Sequence, residues 1–334
     1  VRAHSLVIAS AIFISACGKG AATPSDKTGD KSAWLATVID ESQDSQFTIR
    51  PLDALKDPTF GPILQSAEAQ AAPMLALIPA AKPAMDTFQK SELLLISVRK
   101  NDPTDAVIIF EGVPDTVTVD TMNDPSGQPL FKKVEGSSGD VVEYDRNKGE
   151  SADNTKALRL VTVHQMWMVG IGPAADRVHA AATSGKMEEL HADSGPIFSA
   201  SGVGDLIESA KKDHPPQIQP VIDGLSRVDM QVDGGQVAHL KMALTYADEN
   251  AATTAQSFVQ TTLDGVKAQK PELKSTLDQM TLARDKAKVT LDAPLPVDFI
   301  QAVMQRQQAQ VPTTDAPTEL PTQIPAKKKK KSKH

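Results

Sequence analysis

Cys17 is the only cysteine of the 334-residue chain, and its setting gives it a chemistry. It follows a short charged start (Arg2, with His4), nine mostly apolar residues from Leu6 to Ile14, and the small residues Ser15 and Ala16. That is the layout of an export signal, and its apolar run is too short to span a bilayer. A thiolate is a nucleophile. With no second cysteine it closes no disulfide within the chain, although an exported compartment permits one. The other pointed feature is the cluster Lys327, Lys328, Lys329, Lys330, Lys331 and Lys333. Lysines near anionic lipid head groups or wall polymers add about 1 kcal/mol each, so these six are candidate anionic-surface contacts.

Other patterns are weaker. Gly170-Ile171-Gly172-Pro173-Ala174-Ala175 has the spacing of a dinucleotide fingerprint. That fingerprint needs free backbone amides at the helix start, and Pro173 has none. Glycine followed by proline is ordinary strand-to-helix chemistry. His179, Glu188, Glu189, His191 and Asp193 are possible ligands lying close in sequence. They span a helix end and a Gly-containing loop, without the rigid convergence zinc requires. His239 falls on the polar side of a strand, His164 in a turn, and His214 before Pro215-Pro216. No nucleophile elbow or P-loop is visible, and adjacent carboxylates such as Glu188-Glu189 and Asp248-Glu249 point to different faces. The residues nominate no catalytic group, no metal site and no cofactor.

Ile14-Ser15-Ala16-Cys17 resembles the bacterial lipobox, with Ile14 where Leu is usual. The resemblance implies that Cys17 is acylated, that residues 1–16 are removed as a lipoprotein signal peptide, and that the mature chain carries two or three acyl chains. At about 0.8 kcal/mol per buried methylene, these hold a soluble body stably on a membrane. Gly18 and Lys19 lack the Asp that often retains such proteins at the inner membrane, so the resemblance favours the periplasmic face of the outer membrane. The segments Leu55–Leu64 (LKDPTFGPIL), the strand beginning SELLLIS and VGIGPAADRV are also similar to uncharacterised envelope lipoproteins of myxobacterial type. That similarity brings no activity with it.

The elements behind these residues follow from composition and period. Removing residues 1–16 takes Arg2 and moves the formal charge from −7 to −8, and setting aside the six tail lysines leaves −14. An acidic body disfavours nucleic-acid binding. Residues 17–33 read as the lipidated cysteine and a flexible tether, and the proline-spaced, lysine-rich 309–334 as a disordered tail. Strand pairs are expected at 92–99 with 106–111, at 157–163 with 166–171, at 228–232 with 238–246, and at 279–283 with 287–292. The third is expected to turn through Asp233-Gly234-Gly235, with Met230 opposite Ala238 and Val228 opposite Leu240. The last is expected to turn around Arg284-Asp285. A helix is expected over 251–268 with Asn250 as its N-cap. Short helices should divide the proline-punctuated 53–89, another should follow Pro271, and the connector 113–156 should be irregular except near 140–145. Residues 166–182 and 288–304 share a pattern. It suggests a weak duplication into related ββαββα lobes over 34–190 and 191–308, giving an α+β fold of antiparallel sheets covered by helices.

Three functions fit these readings. The first is a non-enzymatic, lipid-anchored envelope protein that binds or scaffolds another envelope component. The second is a carrier holding an apolar ligand such as lipid in a sheet concavity, and the third is an envelope hydrolase without a recognisable motif. The partners expected are the membrane, through acylated Cys17, and an envelope protein or lipid.

The lysine cluster is separable by experiment. A proline-rich arm of some 24 residues at roughly 3 Å each reaches about 70 Å. Removing 326–334 is expected to weaken binding of the unacylated protein to anionic vesicles, most at low salt, because exposed charges are screened over about 8 Å at physiological ionic strength. Binding that stays the same at every salt concentration leaves the tail a solubilising role only.

Overall fold

The computed structural model describes residues 32–40, 44–66, 81–99, 102, 104–122, 128–135, 140–146, 157–190, 194–202, 207, 218–269, 271 and 274–297. The chain is α+β. Its strands are β1 (Asp44–Ile49), β2 (Leu93–Arg99), β3 (Ala106–Glu111), β4 (Phe131–Lys133), β5 (Val141–Arg146), β6 (Leu158–Val163), β7 (Met166–Ile171), β8 (Phe198–Gly202), β9 (Leu225–Asp233), β10 (Ala238–Tyr246), β11 (Thr281–Asp285) and β12 (Lys288–Leu295). All twelve join one antiparallel sheet in the order β11-β12-β10-β9-β8-β1-β2-β3-β7-β6-β5-β4. The helices used below are α1 (Ser32–Val38), α2 (Pro51–Lys56), α3 (Ala81–Lys90), α4 (Ala174–Thr183), α5 (Gln219–Ile222), α6 (Glu249–Gln269) and α7 (Lys274–Leu277).

Local chemistry explains most of these boundaries. The pairs β2–β3 and β6–β7 form where alternating or continuous apolar residues bracket a turn, and β6–β7 turns through His164-Gln165 as expected. The 53–89 stretch is broken into short helices, α2, residues 60–66 and α3, and α2 opens on Pro51, where the missing N–H costs nothing. The α6 cap is corrected: the Asp248 carboxylate, not Asn250, accepts the Ala251 N–H at 2.9 Å. In the last hairpin β11 runs to Asp285 and the loop is Lys286-Ala287, two residues later than the expected turn.

The β9–β10 register also differs. Met230 pairs with Met242 and Val232 with Leu240, not Met230 with Ala238. A slip of an even number of residues leaves every side chain on its face, so the apolar pattern alone could not detect it. The wider loop is set from outside the hairpin. The Asp57 carboxylate accepts the Gly235 N–H at 2.6 Å, and Thr59 Oγ1 donates to the Gly235 carbonyl at 2.8 Å. A Cβ at Gly234 would clash with the side chains of Asp57 and Ile197.

The two halves of the chain lie in this one sheet, on either side of β1·β8. The order β1-β2-β3-β7-β6 on one side reads as β8-β9-β10-β12-β11 on the other. Register repeats too. Ser97 pairs with Val107 as Gln231 pairs with Lys241. Ala106 pairs with Ile171 as Leu240 pairs with Ala293. Val163 meets Met166 across a two-residue loop as Asp285 meets Lys288, and the first loop residue is left-handed in both, His164 at φ 47° and Lys286 at φ 51°. Phe47 pairs with Ile96 as Ala200 pairs with Met230, and Phe47 and Ala200 pair with each other. A pseudo-twofold axis normal to the sheet therefore passes between Phe47 and Ala200.

One face, here called the back, carries a continuous apolar row. Leu282, Leu291, Met242, Met230, Ala200, Phe47, Ile96, Ile108, Val169, Leu160 and Tyr144 oppose one another in a single row from β11 to β5. Three covers lie on it. Ala54 and Phe60 pack on Phe198, Met230 and Val232. Ala252 and Ala255 of α6 pack on Val228, Tyr246 and Val289. Val113, Val117 and Val119 pack on Leu160 and Trp167. On the opposite, front face, Trp34, Val38 and Ile39 join Ala174, Val178 and Ala181 of α4 over Leu95, Val107, Ile109, Val161 and Met168. Burying each such large side chain contributes about 1.5–3 kcal/mol.

Tyr246 closes the α6 layer, donating its hydroxyl to the Val221 carbonyl at 2.9 Å. Burial pushes its phenol up to about 12. The neutral form is the one the folded chain favours. Its contribution is thus whole below the ordinary tyrosine pKa of about 10 and is lost as pH rises towards the folded value. Urea melts of Tyr246→Phe should show a smaller fall in stability between pH 9.5 and 11.5 than the parent chain, and parallel curves would contradict this account.

Candidate functional site

The sheet's symmetry is broken on its front face, and the break locates a candidate binding surface. Leu95, Val107, Met166 and Met168 lie under α1 and α4 in the first half. Their register equivalents in the second half are Asp229, Lys241, Lys288 and Thr290. Arg227, Gln231, Asp233, His239, Thr245 and Asp292 share that face. An antiparallel sheet can leave one face wet, and here Lys241, His239 and Lys288 are exposed. The charges alternate and engage each other. Arg227 Nε lies 2.8 Å from Asp229, Lys241 Nζ 2.7 Å from Asp233, and His239 Nδ1 3.4 Å from Asp292. The hydrogen bond and charge of Asp233 raise the Lys241 ammonium above its usual range. Ser201 of β8 adds its hydroxyl to this face, donating to Asp229 at 3.4 Å, and the whole can recognise a polar partner across β9, β10 and β12.

A buried ion network marks where the covered front ends. Arg177 of α4 forks onto Asp105, Nη1 to Oδ2 at 2.8 Å and Nη2 to Oδ1 at 2.7 Å, while its Nε donates to the Val38 carbonyl at 3.1 Å. The Asp105 hydrogen bond raises the Arg177 guanidinium further. Arg99 Nε stands 3.6 Å from Asp44 and 3.5 Å from Asp105. Asp44 also accepts from Ser97 Oγ and from the Asp40 N–H, each at 3.0 Å. Two arginines thus balance two carboxylates that are almost wholly buried, and the group ties α1 to β1, β3 and α4.

The histidine cluster read from the sequence is redistributed. His179 Nδ1 lies 2.7 Å from Glu143 on β5, a carboxylate also bound by Arg159, and the imidazole is half exposed. Glu189 accepts the Gln165 N–H at 2.6 Å, and Glu188 is exposed. His191 and Asp193 lie outside the described residues. Among the described residues no group of three or more His, Cys, Asp or Glu could hold a metal. The Glu143–His179 contact joins a strand to a helix far along the chain, which local spacing cannot announce. His164 sits in its turn 3.6 Å from Asp140. His214, Cys17, Lys327, Lys328, Lys329, Lys330, Lys331 and Lys333 lie outside the described residues.

Gly170 and Gly172 serve packing. A Cβ on Gly170 would come within 2.7–2.9 Å of the Ala174 and Ala175 backbone, and one on Gly172 within 2.5 Å of the Thr104 carbonyl. Gly172 also has φ 63°. Among the described residues no helix is long and apolar enough to cross a membrane.

No family model matches this chain, and no curated protein matches it. Among solved structures it is similar to crystal form I of TP0453, at 8% identity and a TM-score of 0.43, over 84% of this chain and 99% of that one.

The ion network can be tested directly. Asp105→Asn leaves two arginines facing one carboxylate and should cost about 3–5 kcal/mol, as breaking buried pairs does. Amides of α1 should then exchange faster than those of β6 and β7. A loss under about 1 kcal/mol, the range of exposed pairs, would show that solvent screens the network.

Proposed function

We propose that this chain is a lipid-anchored protein of the cell envelope that binds or scaffolds another envelope component without transforming it. The anchor is Cys17, acylated after removal of 1–16, with the periplasmic face of the outer membrane as the favoured site and 17–33 as tether. The lysines at 327–331 and 333 add an accessory contact to anionic surfaces. The observation that carries the binding role is the polar front face of β9, β10 and β12. There, Asp229, Lys241 and Thr290 replace the apolar floor that α1 and α4 cover on the other side of the axis. The register equivalent of a packed floor is here a water-facing surface with charges held in pairs, and such preorganisation lowers the cost of binding.

A second reading, carriage of an apolar ligand, is favoured by the back row. Phe47, Ile96, Ile108 and Val169 at its centre are only half buried, although both strands flanking each of them are paired. A wall of this kind suits an acyl chain.

Extraction from membranes with native lipids retained, followed by mass spectrometry of proteins and lipids, separates the readings. Lys241→Glu combined with Arg227→Glu should remove a co-extracted protein and keep any lipid, whereas Ile108→Gln should do the reverse if the chain is a carrier. Cys17→Ser should abolish incorporation of labelled fatty acid and leave an uncleaved or mislocalised precursor. Unchanged mass and membrane retention in that variant would sink the anchor.

A further inference from the structure

The pseudo-twofold axis pairs β6 with β11, and the two differ in what lies on their outer side. β6 carries a further strand on its outer side: β5 pairs with it through Val142 opposite Thr162, Glu143 opposite Val161, and Tyr144 opposite Leu160. β11 ends the sheet among the described residues. Its residues equivalent to Leu160 and Thr162 are Leu282 and Arg284. We propose that the outer edge of β11 is a strand-addition site for an extended segment of a protein partner, one that sets a carboxylate opposite Arg284, a base opposite Asp285 and an aromatic or large apolar residue opposite Leu282. The inference rests on the binding role proposed above and names a partner class for it.

Backbone geometry supplies the donors and acceptors. Asp285 and Lys288 flank a two-residue loop, so they exchange both backbone hydrogen bonds, and alternation turns the N–H and C=O groups of Leu282 and Arg284 away from β12. These two residues correspond to the pair through which β6 holds β5. Edge strands of this kind accept an added strand through main-chain bonds, with side-chain positions giving specificity. The edge is also held in place: Leu282 packs in the cluster of Val228, Tyr246 and Ala255 under α6, while Thr281, Ala283, Arg284 and Asp285 are exposed.

Side chains narrow the occupant. Leu282 ends the apolar row on the back, and where the row continues past Leu160 the next residue is Tyr144. An incoming aromatic opposite Leu282 extends the row in the same way. Arg284 lies on the back and Asp285 on the front, so their partners must be an acid and a base on successive residues. A second copy fits poorly. Two β11 strands paired about Ala283, with like faces aligned, bring Leu282 against Arg284 twice and supply no carboxylate to either arginine. Arg284, Asp285 and the neighbouring Lys286 also guard the edge against indiscriminate pairing.

The test uses the full chain and a capped peptide with Lys-Glu-Thr-Tyr-Thr opposite residues 285 to 281. Saturable binding by fluorescence anisotropy, with slowed exchange of the Leu282 and Arg284 amides, is the expected result. Arg284→Pro removes an outward donor without touching the β12 ladder and should weaken binding at least about tenfold, which is 1.4 kcal/mol. Arg284→Glu should reverse the preference, binding the peptide with Lys in its second place more tightly than the original. Binding unaffected by both variants, or protection of these amides that grows with protein concentration in the absence of peptide, overturns the proposal. Failure here leaves the front-face reading standing, because Lys241 and Arg227 take no part in the edge.

Discussion

The sheet depends on one short ladder. Four residue pairs, from Gln46·Ser201 to Ile49·Phe198, join β1 to β8, and through them a seven-strand array and a five-strand array become one surface. Everything placed on the sheet inherits that junction. Residues Ala54 and Phe60, which follow β1 in sequence, pack on Met230 and Val232 of the other half. The apolar back is therefore continuous across the axis, and the second half is partly roofed by chain from the first. A backbone ladder does this without demanding particular side chains, which is why Gln46, Thr48, Ser199 and Ser201 can occupy the front of the centre.

The repeated order and register, and the departures from them, then divide the labour between faces. The back keeps its apolar pattern in both halves, because α6 on one side and Val113–Val119 on the other need the same floor. The front does not. Where α1 and α4 lie, the floor is Leu, Val, Ile and Met; across the axis it is Asp, Lys, Ala and Thr on strands of the same order and register. The backbone pairing tolerates both, since strand alternation separates what one face does from what the other does.

What the sequence disclosed follows from the range over which each signal acts. Period-two alternation and turn residues are local, and they revealed β2, β3, β6, β7 and β10 almost to the residue, and β9 short of its first three residues. The central strands escaped. β1 (DSQFTI) and β8 (FSASG) each carry only two large apolar residues or fewer amid Ser, Gln and Thr, and β4 is three residues long. The strand character of β1 and β8 comes from neighbours on both sides, and that of β4, at the sheet's end, from β5, not from their own propensity. The β9–β10 register depends on Asp57 and Thr59, more than 170 residues away, and no local pattern carries that. The same holds for the candidate surface. Each of Arg227, Asp229, Lys241 and Asp292 reads as an ordinary polar alternate in its own strand, and the wet face exists only once the registers are aligned with those of the first half. Cys17 stands at the other extreme: its signal is wholly local.

The distance between the two central strands along the chain bears on how the molecule is made. Phe47 leaves the ribosome far ahead of Ala200, its partner. β2 can meet β3 early, and β6 can meet β7, but the unpaired side of β1 waits until β8 has been synthesised. Non-local pairing of this kind is slow. During that interval the nascent first half carries an open edge whose register is copied almost residue for residue in the second half. A β8 from a neighbouring chain would fit it as well as the chain's own. The repeat that makes the finished sheet regular therefore makes exchange of halves between chains its characteristic misassembly.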